Sequence, residues 1–203
     1  SNLGVSGGRN MAIRLAKGSL LFLADDDLSI TDNKALVKIG EFFSSEFASS
    51  NKVAALTPLI KYFDTGEIQK TAFPHKKFAK YKDKPLFLTS YYIGAAHVLR
   101  SEVLKKTGLL PEDFFYGIEE YDLSFRIIYQ GYGLAFSRSL EVLHKESPKG
   151  RVTPRKKAWM LWQNKSRHWQ LYIVCAGETG FINLVVTCLF KSAETGGADF
   201  FKR

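Results

Sequence analysis

Short apolar runs alternate with stretches of helical spacing along the first part of the chain. Residues 19–23 form an apolar run that predicts a buried strand, and residues 53–59 predict the next strand. Between them, residues 32–48 carry apolar side chains at helical intervals, and residues 9–17 predict a shorter helix. Strand, helix and strand in this order predict an α/β domain with a mixed, mostly parallel sheet flanked by helices.

The pattern loosens between residues 60 and 88, where a lysine-rich stretch predicts a long loop that could act as a lid. Beyond this loop the pattern predicts a strand over residues 91–100, a helix over 102–107 and a second helix that ends at Gly131. Two short strands are predicted over residues 134–136 and 140–143. The last strand leads directly to His144. These elements complete a domain predicted over residues 1–148.

Residues 149–203 differ in composition and are predicted to form a helical C-terminal extension that is first basic and then apolar. Residues 171–190 approach the ~20 apolar residues that a membrane-spanning helix needs. Glu178 and the glycines beside it argue against a span. An amphipathic helix that lies on a membrane or packs on the domain fits the pattern better.

The charge of the chain is uneven. Its formal net charge is +9, and the excess lies mainly in residues 70–84 and 145–167. Such stretches suit nucleic acid, anionic lipid head groups or a phosphorylated substrate, although a solvated basic face is an equal alternative. Cys175 and Cys188 lack the spacing of a zinc site or disulfide framework, which is consistent with a cytosolic compartment.

Three consecutive carboxylates follow the first predicted strand. Asp25, Asp26 and Asp27 end the apolar run, and adjacent carboxylates raise one another's pKa unless a cation or hydrogen-bond donors offset the repulsion. Mg²⁺ or Mn²⁺ would supply that offset. The alternative is a solvated turn in which Asp27 or Asp32 caps the following helix.

A second acidic group precedes the helix that ends at Gly131. Glu119, Asp122 and Arg126 stand at i, i+3 and i+7, which places them on one helical face, and Glu120 lies beside them. These carboxylates could serve chemistry, or they could only stabilise the positive end of the helix dipole.

Three motifs therefore stand in order: Gly7-Gly8-Arg9-Asn10, Asp25-Asp26-Asp27, and Gly117-Ile118-Glu119-Glu120-Tyr121-Asp122-Leu123 followed by His144. Together they resemble the inverting glycosyltransferases of family 2, which have the nucleotide-diphosphosugar GT-A fold, and within them the rhamnosyltransferase-like branch. The resemblance runs from Asn2 to about Arg167. It implies a partial GT-A domain, with the first strands and the nucleoside-binding loop expected upstream of Asn2.

The resemblance implies a donor site for a nucleotide-diphosphate sugar with a divalent cation, Mn²⁺ or Mg²⁺. Asp25 and Asp27 match the Asp-x-Asp pair, and Asp26 is an equal candidate for coordination. His144 matches a late histidine that helps to hold metal or phosphate, although a structural histidine is the plain alternative. The residues implied to face the nucleotide or its phosphates are Arg9, Asn10, Gly8 and Asp25, and Arg9 could otherwise be an ordinary surface cation.

The acidic pair Glu119 and Glu120 matches the position of the family's general base, with Glu120 the first candidate, Glu119 the second and Asp122 also assigned to the catalytic group. An inverting transfer is a single displacement, so one base must remove the proton of the acceptor hydroxyl. The metal stabilises charge on the leaving diphosphate.

The leading hypothesis is thus an inverting, metal-dependent glycosyltransferase that acts on a glycan or lipid-linked acceptor. It would work in the cytoplasm at the inner face of the membrane, with peripheral contact through residues 149–190. A nucleotidyltransferase-like enzyme is the first alternative. A basic nucleic-acid-binding module, suggested by Trp159, Trp162 and Trp169 among cations, ranks below it.

Overall fold

The computed structural model describes residues 3–145 and 154–176. The chain divides into two compact units, Ser1–Val152 and Thr153–Arg203. Each unit is described by itself.

The first unit contains six helices and six strands among its described residues. The helices are α1 (Gly4–Leu15), α2 (Ala35–Ser44), α3 (Glu46–Ser50), α4 (Phe78–Tyr81), α5 (Ser101–Thr107) and α6 (Glu119–Tyr129), with one 3₁₀ turn at Lys70–Ala72. The strands are β1 (Leu20–Ala24), β2 (Leu28–Ser29), β3 (Val53–Tyr62), β4 (Leu86–Thr89), β5 (Ala96–Arg100) and β6 (Gly133–His144).

The six strands form one sheet in the order β1-β5-β3-β6-β2, and β4 also pairs with β6. Among the described strands, β3 and β6 pair in parallel and all the other pairs are antiparallel. The mixed sheet is confirmed, but the expectation that it is mostly parallel is wrong. β1 and β3 do point the same way, as their helical connection predicts, but β5 inserts between them in the opposite direction.

Two hydrophobic clusters cover the two faces of the sheet. One joins α1, α5 and α6 to the sheet through residues such as Ile13, Val103 and Leu123. The other packs α2 against the opposite face through Ile39 and Phe43. β3 is buried on both faces from Val53 to Ile60, which explains why its sequence reads as a continuous apolar run.

Several predicted elements have different boundaries: the helix predicted over residues 9–17 is α1 at Gly4–Leu15, and the strand predicted over residues 91–100 is β5 at Ala96–Arg100. The helix predicted over residues 32–48 is broken at Ser45, which adopts an extended conformation and caps α3 by accepting a hydrogen bond from the Ala48 N–H. The predicted loop over residues 60–88 contains the 3₁₀ turn, α4 and β4.

The two short strands predicted before His144 form one strand, β6. Its pairing with β3 shifts between Pro58–Ser137 and Leu59–Glu141, so residues 138–140 have no partner in β3 and interrupt this ladder without ending the strand.

The second unit contains α7, Pro154–Ala176, which begins with a proline at its first position. Trp159 and Trp162 stack on it with ring centroids 5.4 Å apart. Residues 177–190, Cys188 and the rest of the predicted extension lie outside the described residues. Within the described part of the chain, no helix is long and apolar enough to cross a membrane.

Candidate active site

Arg9, on α1, connects three separate segments of the first unit. Its Nη2 donates to Asp25 Oδ1 at 2.7 Å and to the Gly94 carbonyl oxygen at 2.8 Å, and its Nη1 donates to Glu119 Oε1 at 3.0 Å. The side chain is only 14% exposed. Burial opposes its charge, but Asp25 and Glu119 outweigh that effect and raise the pKa of Arg9. The guanidinium is therefore a fixed cation at the centre of the site.

Helix α1 holds Arg9 in place because it is fastened to the segment before α6. The buried Asn10 amide donates to the Leu110 carbonyl at 2.8 Å and accepts from the Leu110 N–H at 3.0 Å. Ser6 donates to the Phe114 carbonyl at 2.9 Å. Gly4 has φ +69°, and a Cβ there would lie 2.6 Å from the Phe115 carbonyl oxygen. Only glycine allows this approach.

The carboxylates Glu119 and Glu120 begin α6 after an unusual turn. Gly117 and Ile118 both have positive φ, 78° and 75°. A β-branched residue in this region is strained, and such strain costs about 1–3 kcal/mol. The surrounding fold must therefore impose this turn, which sets the direction in which the two carboxylates leave the helix.

Glu120 lies next to Arg9 and Glu119. A Cβ built on Gly94 would lie 3.4 Å from Arg9 Nη1 and 3.8 Å from the Glu120 carboxyl carbon, so Gly94 leaves room for both side chains. Burial and the charge of Glu119 raise the pKa of Glu120 to about 8, although Arg9 opposes the shift. The carboxyl thus titrates near neutral pH, which suits a group that accepts a proton during catalysis.

Two further polar groups are buried near this cluster. The rings of Tyr92 and His97 lie 4.4 Å apart, and among the described residues neither Tyr92 Oη nor His97 Nε2 has a hydrogen-bond partner. Burial lowers the pKa of His97 to about 3, with a contribution from Arg9. His97 is therefore neutral at physiological pH. In the sequence, His97 stands within an apolar strand, and no local pattern indicated that it would be buried beside this cluster.

The three aspartates separate in the structure. Asp25 faces Arg9, Asp26 is exposed, and Asp27 lies beside His144, with its Oδ1 3.2 Å from His144 Nε2. Burial raises the pKa of Asp25 despite the opposing charge of Arg9. Asp32 accepts a hydrogen bond from the Lys34 N–H just before α2, but the N-terminus of α2 has no side-chain cap, so neither Asp27 nor Asp32 caps this helix.

Backbone pairing fixes Asp27 against His144. β2 pairs with the end of β6 at Leu28 and His144, and the Lys145 N–H donates to the Asp27 carbonyl at 2.7 Å. The other ring nitrogen of His144, Nδ1, lies 2.8 Å from Gln69 Oε1.

The pair Asp27 and His144 fits a divalent cation that also takes ligands from a substrate. Asp27 Oδ1 is buried and has no hydrogen-bond partner among the described residues, and it points to the same place as an imidazole nitrogen. Carboxylate oxygens suit Mn²⁺ and Mg²⁺, and imidazole is a ligand of divalent transition metals. Within the described ranges, no group of three or more His, Cys, Asp or Glu side chains is arranged to hold a metal. Phosphate oxygens and water would have to complete its shell.

The remaining predicted residues lie elsewhere in the site. Asp122 accepts hydrogen bonds from Arg126 Nε at 2.9 Å and Nη2 at 2.5 Å, and Arg126 also donates to the carbonyls of Thr107 and Leu109. The carboxylate of Asp122 thus helps to hold α6 to the end of α5. Gly8 is exposed, with open space where a Cβ would be.

Comparison of the structure with solved structures identifies similar folds. GalNAc-T7 in complex with UDP, GalNAc and Mn²⁺ superposes with a TM-score of 0.59 and 15% identity, covering 82% of this chain and 34% of its own. The mannosyltransferase PcManGT from Pyrobaculum calidifontis, in complex with GDP-Man and Mn²⁺, gives 0.53 and 17%, with 86% and 45% covered. TarS from S. aureus, in complex with UDP-GlcNAc, gives 0.54 and 13%, with 83% and 48% covered.

The chain has the GT-A fold. No protein-family model matches its sequence. An uncharacterised protein of Haemophilus influenzae is 38% identical over 111 residues, which cover 54% of this chain and 57% of that protein. The chain thus spans a little over half the length of this relative and less than half of each of the three solved structures named above.

Proposed function

We propose that this chain contributes the metal and acceptor side of an inverting glycosyltransferase of family 2, in the rhamnosyltransferase-like branch. The enzyme transfers a sugar from a nucleotide-diphosphate donor to a hydroxyl of a glycan or lipid-linked acceptor. The observation that carries the proposal is the convergence of Arg9, Asp25, Glu119 and Glu120 in a GT-A fold that also brings Asp27 to His144.

In the proposed reaction, Glu120 is the general base. The acceptor hydroxyl oxygen bonds to the anomeric carbon as the bond from that carbon to the diphosphate oxygen breaks. The hydroxyl proton passes to the Glu120 carboxylate, and the bonding pair leaves with the diphosphate. With a pKa of about 8, about a tenth of Glu120 is ionised at pH 7. Activity should therefore rise with pH, reach about half of its maximum near pH 8 and level off about one unit above that.

The donor side of the site would be formed by Asp27 and His144, together with Arg9. A bound Mn²⁺ or Mg²⁺ supplies positive charge to the leaving diphosphate. Arg9 already forms ion pairs with Asp25 and Glu119, so its charge is partly compensated before a donor binds. The main effect of Arg9 is to keep these two carboxylates in place. Asp26, which is exposed, would be a further oxygen ligand for the cation.

The test uses the complete protein with nucleotide-sugars and Mn²⁺. Glu120→Gln should lower the transfer rate at least ~100-fold while donor affinity stays within a few-fold, because the amide cannot accept the proton. Asp27→Asn should instead weaken Mn²⁺-dependent donor binding. Glu112→Gln and Asp32→Asn are the matched controls, since both carboxylates pair with surface cations, and the amide that replaces Glu112 can still accept a hydrogen bond from Asn10.

Two results would overturn the proposal. One is full activity of both Glu120→Gln and Asp27→Asn. The other is retention of the donor's anomeric configuration in the product, measured by NMR, because a single displacement must invert it.

The membrane contact is part of the same proposal. Lys156, Lys157 and Lys165 are exposed cations on α7, and such cations favour anionic lipid surfaces, where a lipid-linked acceptor would be found. Flotation with liposomes that contain anionic lipid should recover the full chain and not a variant that lacks residues 151–203. Equal recovery of both would contradict the contact.

A further inference from the structure

Gln69 contacts His144 of the candidate cation site formed by Asp27 and His144, and it comes from a part of the sequence that has no recognisable motif. It lies just before the 3₁₀ turn in the long segment between β3 and β4, and its side chain is only 3% exposed. Its Oε1 lies 2.8 Å from Nδ1 of His144. The three side chains thus form a row in which His144 stands between Gln69 and Asp27.

The backbone of Gln69 is fixed on both sides. Its N–H donates to the Ile60 carbonyl at 3.0 Å, and its own carbonyl accepts from the Ala72 N–H at 3.0 Å. The neighbouring Ile68 forms a bridge to Lys61 of β3. His144 is anchored in turn, because its carbonyl accepts from the Phe63 N–H at 3.0 Å. The distance between the amide and the ring is therefore set by the sheet and not by a mobile loop.

This contact determines which ring nitrogen of His144 carries the proton. An amide oxygen only accepts hydrogen bonds, so Nδ1 must donate to Gln69 Oε1. In the neutral ring, Nε2 then carries a lone pair, and it faces Asp27 Oδ1 at 3.2 Å. Two lone pairs that face the same point repel each other unless a proton or a metal cation lies between them.

We propose that Gln69 is a positioning residue that fixes the Nδ1–H tautomer of His144 and thereby directs Nε2, with Asp27, to a divalent cation. The inference rests on the proposed function for the identity of the cation. Outer hydrogen bonds of this kind orient a ligand and raise its basicity, and their loss costs ~10–100-fold in metal affinity. The segment between β3 and β4 would thus contribute directly to the metal site.

The test compares Gln69→Met with Gln69→Glu in the full chain. Methionine has a similar volume but cannot accept the Nδ1–H, whereas a carboxylate can. Ser137→Ala is the matched control: Ser137 is buried on the same strand as His144, and the substitution removes its partly buried side-chain hydrogen bond to Ser139. Circular dichroism and thermal melting identify any variant that fails to fold.

Two measurements are made on each protein. The ¹⁵N shifts of the His144 ring, recorded without metal, report its tautomer. Free Mn²⁺, measured by electron paramagnetic resonance during titration with Mn²⁺ alone, reports affinity. We expect Gln69→Met to shift the ring toward the Nε2–H tautomer and to weaken Mn²⁺ binding ~10–100-fold. Gln69→Glu and Ser137→Ala should keep the Nδ1–H tautomer and bind within about threefold of the parent.

The outcomes separate this inference from the proposed function. An unchanged tautomer and unchanged Mn²⁺ affinity in a folded Gln69→Met protein would overturn the role of Gln69 and leave the cation site intact. Equal Mn²⁺ binding by the parent and by Asp27→Asn would overturn the cation site itself, and the role of Gln69 toward it, even with the tautomer as expected.

Discussion

Replacing Glu119 with glutamine should lower the pKa of Glu120. Burial is the first cause of the raised value of about 8, and the charge of Glu119 is the second. The substitution leaves burial unchanged and removes the neighbouring negative charge. It also releases Arg9 Nη1 from its ion pair with Glu119, so more of the positive charge of Arg9 acts on Glu120. Both effects favour the ionised carboxylate.

The expected size of the change is roughly one pKa unit, the lower end of what a close charge produces. At pH 7, the ionised fraction of Glu120 would rise from about a tenth to about a half. If Glu120 is the general base, turnover at pH 7 should rise by up to about fivefold while the maximum at high pH stays the same or falls. The rising limb of the pH–rate profile should move to lower pH by the same unit.

The direct assay is a ¹³C NMR titration of the side-chain carboxyls, in which the Glu120 signal is assigned by its loss in Glu120→Gln. Glu112→Gln is the control, because Glu112 pairs with Arg14 and the new amide oxygen can still accept from Asn10, so the Glu120 midpoint should stay near 8. A midpoint that stays near 8 or rises in Glu119→Gln would refute the reasoning that the two carboxyls are coupled through their charges.

Three other predictions concern stability. The pKa of Glu120 is raised in the fold, so the stability that Glu120 contributes is fully present below its ordinary pKa of 4.5 and is lost as pH rises through about 8. The free energy of unfolding of Glu120→Gln, relative to the parent, should therefore increase between pH 5 and 9 in urea titrations. His97 has a lowered pKa of about 3, so the stability that it contributes is present above its ordinary pKa of 6.5 and decreases as pH falls below that value. The parent should lose about 2 kcal/mol more unfolding free energy than His97→Gln between pH 7 and 5. An equal loss in both proteins would contradict this. Ile118→Gly should relieve the strain at φ 75° and raise stability by about 1 kcal/mol in thermal melts, whereas a destabilised variant would show that the isoleucine side chain contributes more than the strain costs.

The sequence indicated the site best where its chemistry follows from local pattern. The apolar run of β1 ends at Ala24, so the aspartates had to lie at the end of a strand. The spacing of Asp122 and Arg126 predicted that they share one face of α6, where the structure shows them in contact. The sheet flanked by helices followed from the same periodicities.

The contacts between these segments could not be predicted from the sequence, because they depend on long-range pairing. Arg9 contacts Asp25 and Glu119 across 16 and 110 residues. The separation of Asp25 from Asp27 follows from the pairing of β2 with the end of β6, which no local pattern encodes. Gln69 lies in a segment without periodicity, so only the fold places it against His144.

The shortness of β2 has a consequence for how the site behaves in solution. Two residue pairs, together with the Lys145 N–H bond to the Asp27 carbonyl, fasten Asp27 and the strand that follows it to the edge of the sheet. Segments with so few backbone hydrogen bonds open at a free energy far below that of global unfolding. The Lys145 amide should therefore exchange with deuterium much faster than the amides of β3. A ligand that links Asp27 to His144 must close this opening, so part of its binding free energy would appear as slower exchange at the sheet edge rather than as affinity.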